Sequence, residues 1–234
     1  VNDRLTLDHL VYGVPDLAKA IDDFEARLGL APVRGGRHES LGTHNAILPL
    51  CGETYLELIA RDPDGPSPDP PRPFGLDSLH HPQLVTWAVR SREIEQDVER
   101  VRKRNYDPGI VFPMTRKVTN GHTIAWKLAL RTKPFGDGLV PFLIDWGDTT
   151  HPSRSVGHTT DDAGQSASEK REPRISNRIC RLFDFCAFHP DPAPIQAAID
   201  ALGVDLEIQH GPVPGLRARL DGPSGSIDLT GPAR

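Results

Sequence analysis

The chain has 234 residues, of which 37% are hydrophobic and 25% charged, and its formal net charge is −5. A chain of this length and composition buries a substantial core as an ordinary globular protein. The charge excludes a global positive field for nucleic acid, and no apolar run approaches the roughly 20 residues of a membrane helix. The one dense basic run, residues 100–104, falls at a predicted helix end, where cations complement the dipole and face water. With 23 Pro and 21 Gly the chain is built from short, punctuated elements rather than long helices. Its three cysteines, Cys51, Cys180 and Cys186, are odd in number and lack metal-type spacing. Buried reduced thiols and a cytoplasmic location are the matching expectations.

The first elements follow one another in a recognisable order. Residues 5–14 form a strand rich in β-formers; Pro15 and Asp16 then turn and cap the chain. Leu17, Ala20, Ile21, Phe24 and Leu28 recur at helical spacing, and Gly29 ends that helix. Three short strands are predicted at 31–37, 43–50 and 55–60. A Pro- and Asp-rich break at 62–73 separates this set from a second one. There the strand 84–89, a helix carrying Ile94, Val98 and Val101, and strands near 109–115, 122–130 and 139–146 repeat the order.

Residues 152–173 hold almost no large apolar side chain and read as a polar linker or long surface loop. The cycle then starts again in shortened form: a strand at 181–188, a helix at 193–202, and strands at 204–209, 216–220 and 227–229. The fold class is therefore α+β, with repeated βαβββ modules at 1–61 and 82–150, a linker at 151–175 and a third, shortened module at 176–231. One module leaves a sheet face bare, so two pair to share a core or cleft, as a cup of curved mixed sheet. The third packs on that pair or forms a homodimer with its copy.

The segments Leu7-Asp8-His9-Leu10-Val11-Tyr12-Gly13-Val14-Pro15-Asp16-Leu17, Gly35-Gly36-Arg37-His38, Gly42-Thr43-His44-Asn45 and Tyr55-Leu56-Glu57-Leu58-Ile59-Ala60, with Pro141-Phe142-Leu143-Ile144-Asp145-Trp146-Gly147-Asp148 and His151-Pro152-Ser153, carry a resemblance. Together they resemble the glyoxalase-like domain proteins of the vicinal oxygen chelate superfamily. The likeness runs over nearly the whole chain except 152–173. It implies a small-molecule ligand in the cup, while the charge and the lack of a membrane-length apolar run set the expectation of no nucleic-acid or membrane partner. The superfamily hosts isomerases, lyases, dioxygenases, thiol transferases and metal-free binding proteins, so the resemblance does not fix a reaction.

In metal-dependent members, ligands come from the first and fourth strands of each module. The resemblance thus makes His9 and Glu57 the metal ligands here, for a divalent Zn, Fe, Mn or Ni acting as a Lewis acid on adjacent substrate oxygens. Module two departs from the pattern: its matching positions fall near Leu84 and Leu143, which cannot ligate. His44 or Asp145 is the expected third group, with Glu57 and His44 as catalytic residues; His122 and His151 are further candidates. Arg37, His38, Asn45, Asp145 and Trp146 are the expected substrate contacts. Of His44 and Asn45, neighbours on a strand, one points into the cup, and His44 is favoured. The missing ligands of module two leave a second reading open, that of a metal-free binding or sequestration protein.

Overall fold

The computed structural model describes residues 4–69, 71–118, 123–131, 135–155 and 179–231. The first set of elements is β1 (Thr6–Gly13), α1 (Leu17–Leu28), β2 (Val33–His38), β3 (Thr43–Leu50) and β4 (Thr54–Arg61). The second is β5 (Gln83–Arg90), α2 (Ile94–Arg102), β6 (Ile110–Val118), β7 (Thr123–Leu130) and β8 (Phe142–Asp145). Both keep the strand, helix, three-strand order that the periodicity predicts. α1 begins where Asp16 accepts a hydrogen bond from the Lys19 amide and ends where Gly29 adopts φ 73°.

The eight strands form one curled sheet in the order β1-β4-β3-β2-β6-β7-β8-β5, and β1 pairs antiparallel with β5 to close it. In each half the first strand runs parallel to the fourth, β1 beside β4 and β5 beside β8. The halves meet again at β2 and β6, where Gly36 and Arg37 face Val118 and Lys117. Strand alternation divides the side chains into two sets. Leu10, Leu56, Leu58, Trp87, Val89 and Leu143 face outward into a core shared with the helices. Val11, Tyr55, Ile59, Ala88, Met114, Trp126, Phe142 and Ile144 face inward.

After a single-turn α3 (Pro152–Ser155) the predicted linker continues outside the described residues. The third set is β9 (Arg181–His189), α4 (Pro192–Leu202), β10 (Ile208–His210), β11 (Gly215–Gly222) and β12 (Gly225–Gly231). The element order matches the first two sets, but the pairing differs. The sheet runs β10-β9-β11-β12, with β9 parallel to the strand that follows its helix rather than to the last strand.

This smaller sheet packs on the barrel. Its inner face, with Ala187, Leu216, Ala218, Leu220, Ile227 and Leu229, joins the outward core of the barrel. Phe185 meets Trp87 of β5 edge to face at 5.2 Å, and the Ser224 amide donates to the Leu28 carbonyl at the end of α1. Each Leu or Ile buried there contributes on the order of 1.5–3 kcal/mol relative to exposure.

Cys180 and Cys186 are buried as expected, whereas Cys51 is exposed. Within the basic run, Arg100 pairs with Asp97, and Arg102 with Glu99 and Asp107. No helix among the described residues is long and apolar enough to cross a membrane.

Candidate active site

Across the β1–β5 ladder Leu7 faces Val89 and His9 faces Ala88, so Asp8 is an extra residue at a bulge. Leu7 and Leu10 both pack on the outer core, which leaves Asp8 and His9 side by side on the inner side. A regular strand cannot place two successive side chains on one face; a bulge can.

Asp8 is fully buried. It accepts from Arg90 Nε at 2.8 Å and Trp146 Nε1 at 3.3 Å, with His9 Nδ1 2.7 Å and His151 Nε2 3.1 Å away. Burial pushes its carboxyl up, but the hydrogen bonds to His151 and His9, with the attraction of both rings, outweigh burial and hold it far below the usual carboxylate range. An ionised carboxylate only accepts, so His9 Nδ1 carries the shared proton and Nε2 is the ring nitrogen turned toward Glu57. That ring stacks on Tyr55 at 4.5 Å.

His9 Nε2 lies 3.8 Å from Glu57 Oε2. The other oxygen, Oε1, accepts from Asn45 Nδ2 at 2.5 Å, and Asn45 Oδ1 accepts from Arg116 Nη1 at 2.7 Å. A chain of groups thus runs from β1 through β4 and β3 to β6. These groups line one hollow inside the barrel, whose remaining walls include Ile59, Met114, Trp126, Phe142 and Trp146. His38 joins the lining: its Nδ1 meets Thr43 Oγ1 at 3.0 Å, and burial pushes its imidazole down to about 4.

One wall comes from the break between the halves. Arg72 donates through Nε to the Gly42 carbonyl, through Nη2 to the Pro66 carbonyl and through Nη1 to Asp77. This staple holds a 3₁₀ segment, Pro73–Ser78, in which Phe74 has φ 63° and stacks on Phe142 at 5.8 Å. A positive φ at a bulky residue stores strain that the surroundings must impose.

The predicted residues divide by strand face. His9, Glu57, His38, Asn45 and Trp146 line the hollow. His44, the favoured catalytic neighbour of Asn45, lies outside it. It is half-buried near Asp62, Arg34, Arg37 and Asp16, and burial lowers its pKa. Arg37 is exposed and paired with Asp62 and Asp64. Asp145 also faces outward, accepting from the Ile94 amide at the start of α2 and from the Gly147 amide just beyond β8. Its parity matches Leu143, as the sequence indicates, but that parity belongs to the outer core. His122 lies outside the described residues. His151, the other further candidate, is buried against Asp8. Sequence reasoning missed Asp8, Arg90 and Arg116. For Arg116 a signal existed: it continues the inward parity of Met114 on the same strand.

The donor set suits a resident metal poorly. Among the described residues no three His, Cys, Asp or Glu side chains are arranged so that they could hold one metal ion. The expected third groups, His44 and Asp145, turn away, and module two contributes Ala88, Phe142 and Ile144 where ligands would be needed. Glu57 already has Asn45 on one oxygen, and the Arg116 cation lies in its field.

A family profile described as glyoxalase-like domain matches residues 7–167. No curated protein matches the chain. Among solved structures, a hypothetical protein from Staphylococcus aureus is similar over 97% of this chain and 85% of its own, with a TM-score of 0.61 and 12% identity. Methylmalonyl-CoA epimerase from Mycobacterium tuberculosis is 22% identical over 59% of this chain and 86% of its own, with a TM-score of 0.39. A Streptomyces coelicolor methylmalonyl-CoA epimerase variant in complex with 2-nitronate-propionyl-CoA is 17% identical over 60% and 97%, with a TM-score of 0.40. The profile spans more than half of the sequence and the barrel has the paired-module topology: the chain belongs to the glyoxalase-like domain family of the vicinal oxygen chelate superfamily.

Proposed function

We propose that this protein binds a small carbonyl-containing metabolite in the barrel hollow and moves a proton on it without a resident metal, as an isomerase or lyase would. The observation that carries the reading is the facing pair of His9 Nε2 and Glu57 Oε2, 3.8 Å apart, with Asp8 behind the imidazole and Asn45 behind the carboxylate. An imidazole backed by a buried carboxylate is a general base of fixed tautomer, and a carboxylate in an apolar hollow is a second proton acceptor. Asn45 and Arg116 supply donors for an oxygen that gains charge when a neighbouring C–H is lost.

The test follows C–H exchange in D₂O on small carbonyl compounds that raise the melting temperature of the protein. Glu57→Gln is expected to lower the exchange rate by roughly 100-fold or more while binding changes less than about tenfold. Exchange that is unchanged by both Glu57→Gln and His9→Ala defeats the proposal.

One observation favours a second, metal-dependent reading. A 3.8 Å separation lets both side chains reach a single ion at about 2 Å each. Stoichiometric metal that survives chelator dialysis of the wild type, and is lost in His9→Ala, would select it.

A further inference from the structure

We infer that the ligand of the hollow is a small monocarboxylic acid with an apolar or aromatic body, its carboxylate held by the Nε and Nη2 edge of Arg116. The inference deepens the proposed function and rests on its reading of the hollow as a ligand site.

Arg116 lies on β6 with its side chain in the hollow and is only 7% exposed. A guanidinium carries five N–H donors. Among the described residues its one hydrogen bond runs from Nη1 to Asn45, and the buried Nε has no partner at all. Each unsatisfied buried donor costs about 1–3 kcal/mol, more on a charged group. Burial accordingly lowers the pKa of Arg116, and Glu57 counters that only through space. No direct ion pair joins the two, because Asn45 stands between them, donating to one and accepting from the other.

The edge left without a protein partner has a definite shape. Nε and Nη2 present two parallel N–H bonds at the spacing of carboxylate oxygens, the bidentate geometry that arginine favours. The charge count narrows the class further. One guanidinium beside the Glu57 carboxylate leaves no surplus positive charge for a dianion, which Glu57 would repel more strongly than a monoanion. The rest of the lining, including Ile59, Trp126, Leu128 and Phe142, offers contact to an apolar or ring-shaped body.

Phenylacetate and its neutral isostere phenylacetamide test this, with calorimetry and quenching of Trp126 and Trp146 as readouts. The acid is expected to bind at least about tenfold more tightly than the amide. Arg116→Lys, which keeps the charge but loses the fork, should lower acid affinity by about tenfold and leave the amide unchanged. Arg116→Met should abolish the preference; should it fail to fold by circular dichroism, the lysine variant carries the test alone. Equal binding of acid and amide to the wild type, or undiminished acid affinity in folded Arg116→Lys, overturns the inference while leaving the hollow a ligand site. No binding of either probe at about 10 mM overturns this inference as well, whereas the reading beneath it falls only with the exchange experiment above.

Discussion

His38 shows how one buried ring ties stability to pH. Its pKa falls from the ordinary 6.5 to about 4 because burial disfavours the cation. Between those values the unfolded chain holds a proton that the folded chain refuses, so stability rises with pH across that window and is lost on acidification. The shift corresponds to about 3 kcal/mol, fully available above pH 6.5 and gone below pH 4. Asn placed at residue 38 keeps a polar atom near the position of Nδ1 and does not titrate. His38→Asn should flatten the denaturation midpoint between pH 4 and 6.5, as measured by urea unfolding at fixed salt. An equally steep pH dependence in the variant would assign the slope to other groups.

At the level of strands and segments, apolar periodicity made the elements readable and left their facing undecided. Three adjacent pairs on the candidate strands, Arg37 with His38, His44 with Asn45 and Asp145 with Trp146, are each split by the pleat, and in each the second member lines the hollow. Alternation guarantees the split, but only the partner strands decide which member turns inward. His9 and Glu57 were legible because both matched family positions. Asp8 was not, because its inward direction depends on a bulge, which no local pattern announces.

The Pro- and Asp-rich break between the halves carries no apolar periodicity, yet its Arg72 makes three side-chain hydrogen bonds that fix the loop. Arg72→Ala should cost roughly 1–3 kcal/mol and leave the strained Phe74 open to chymotrypsin, with cleavage mapped by mass spectrometry. A variant as protease-resistant as the wild type would show that packing of Leu76 alone holds the segment.

The barrel and the C-terminal sheet share one continuous core, so they are expected to melt together. All three tryptophans, Trp87, Trp126 and Trp146, lie in the barrel, whereas circular dichroism reports on both sheets. Urea curves from fluorescence and far-UV circular dichroism should therefore coincide. Phe185→Ala should shift both curves equally, by roughly 2–4 kcal/mol. An early phase that carries part of the circular-dichroism change and only the fluorescence of Trp87, which sits beside Phe185, would mean that the smaller sheet unfolds by itself. The joining stretch around Arg72 has a wider consequence for a molecule assembled from two like halves. Because the same few residues connect the halves and roof the chamber, changes in their length or bulk would alter admission and dwell time of the guest proposed above without disturbing a single rung of the ladder. On that proposal, selectivity would be free to drift through the tether while the groups beneath stay fixed.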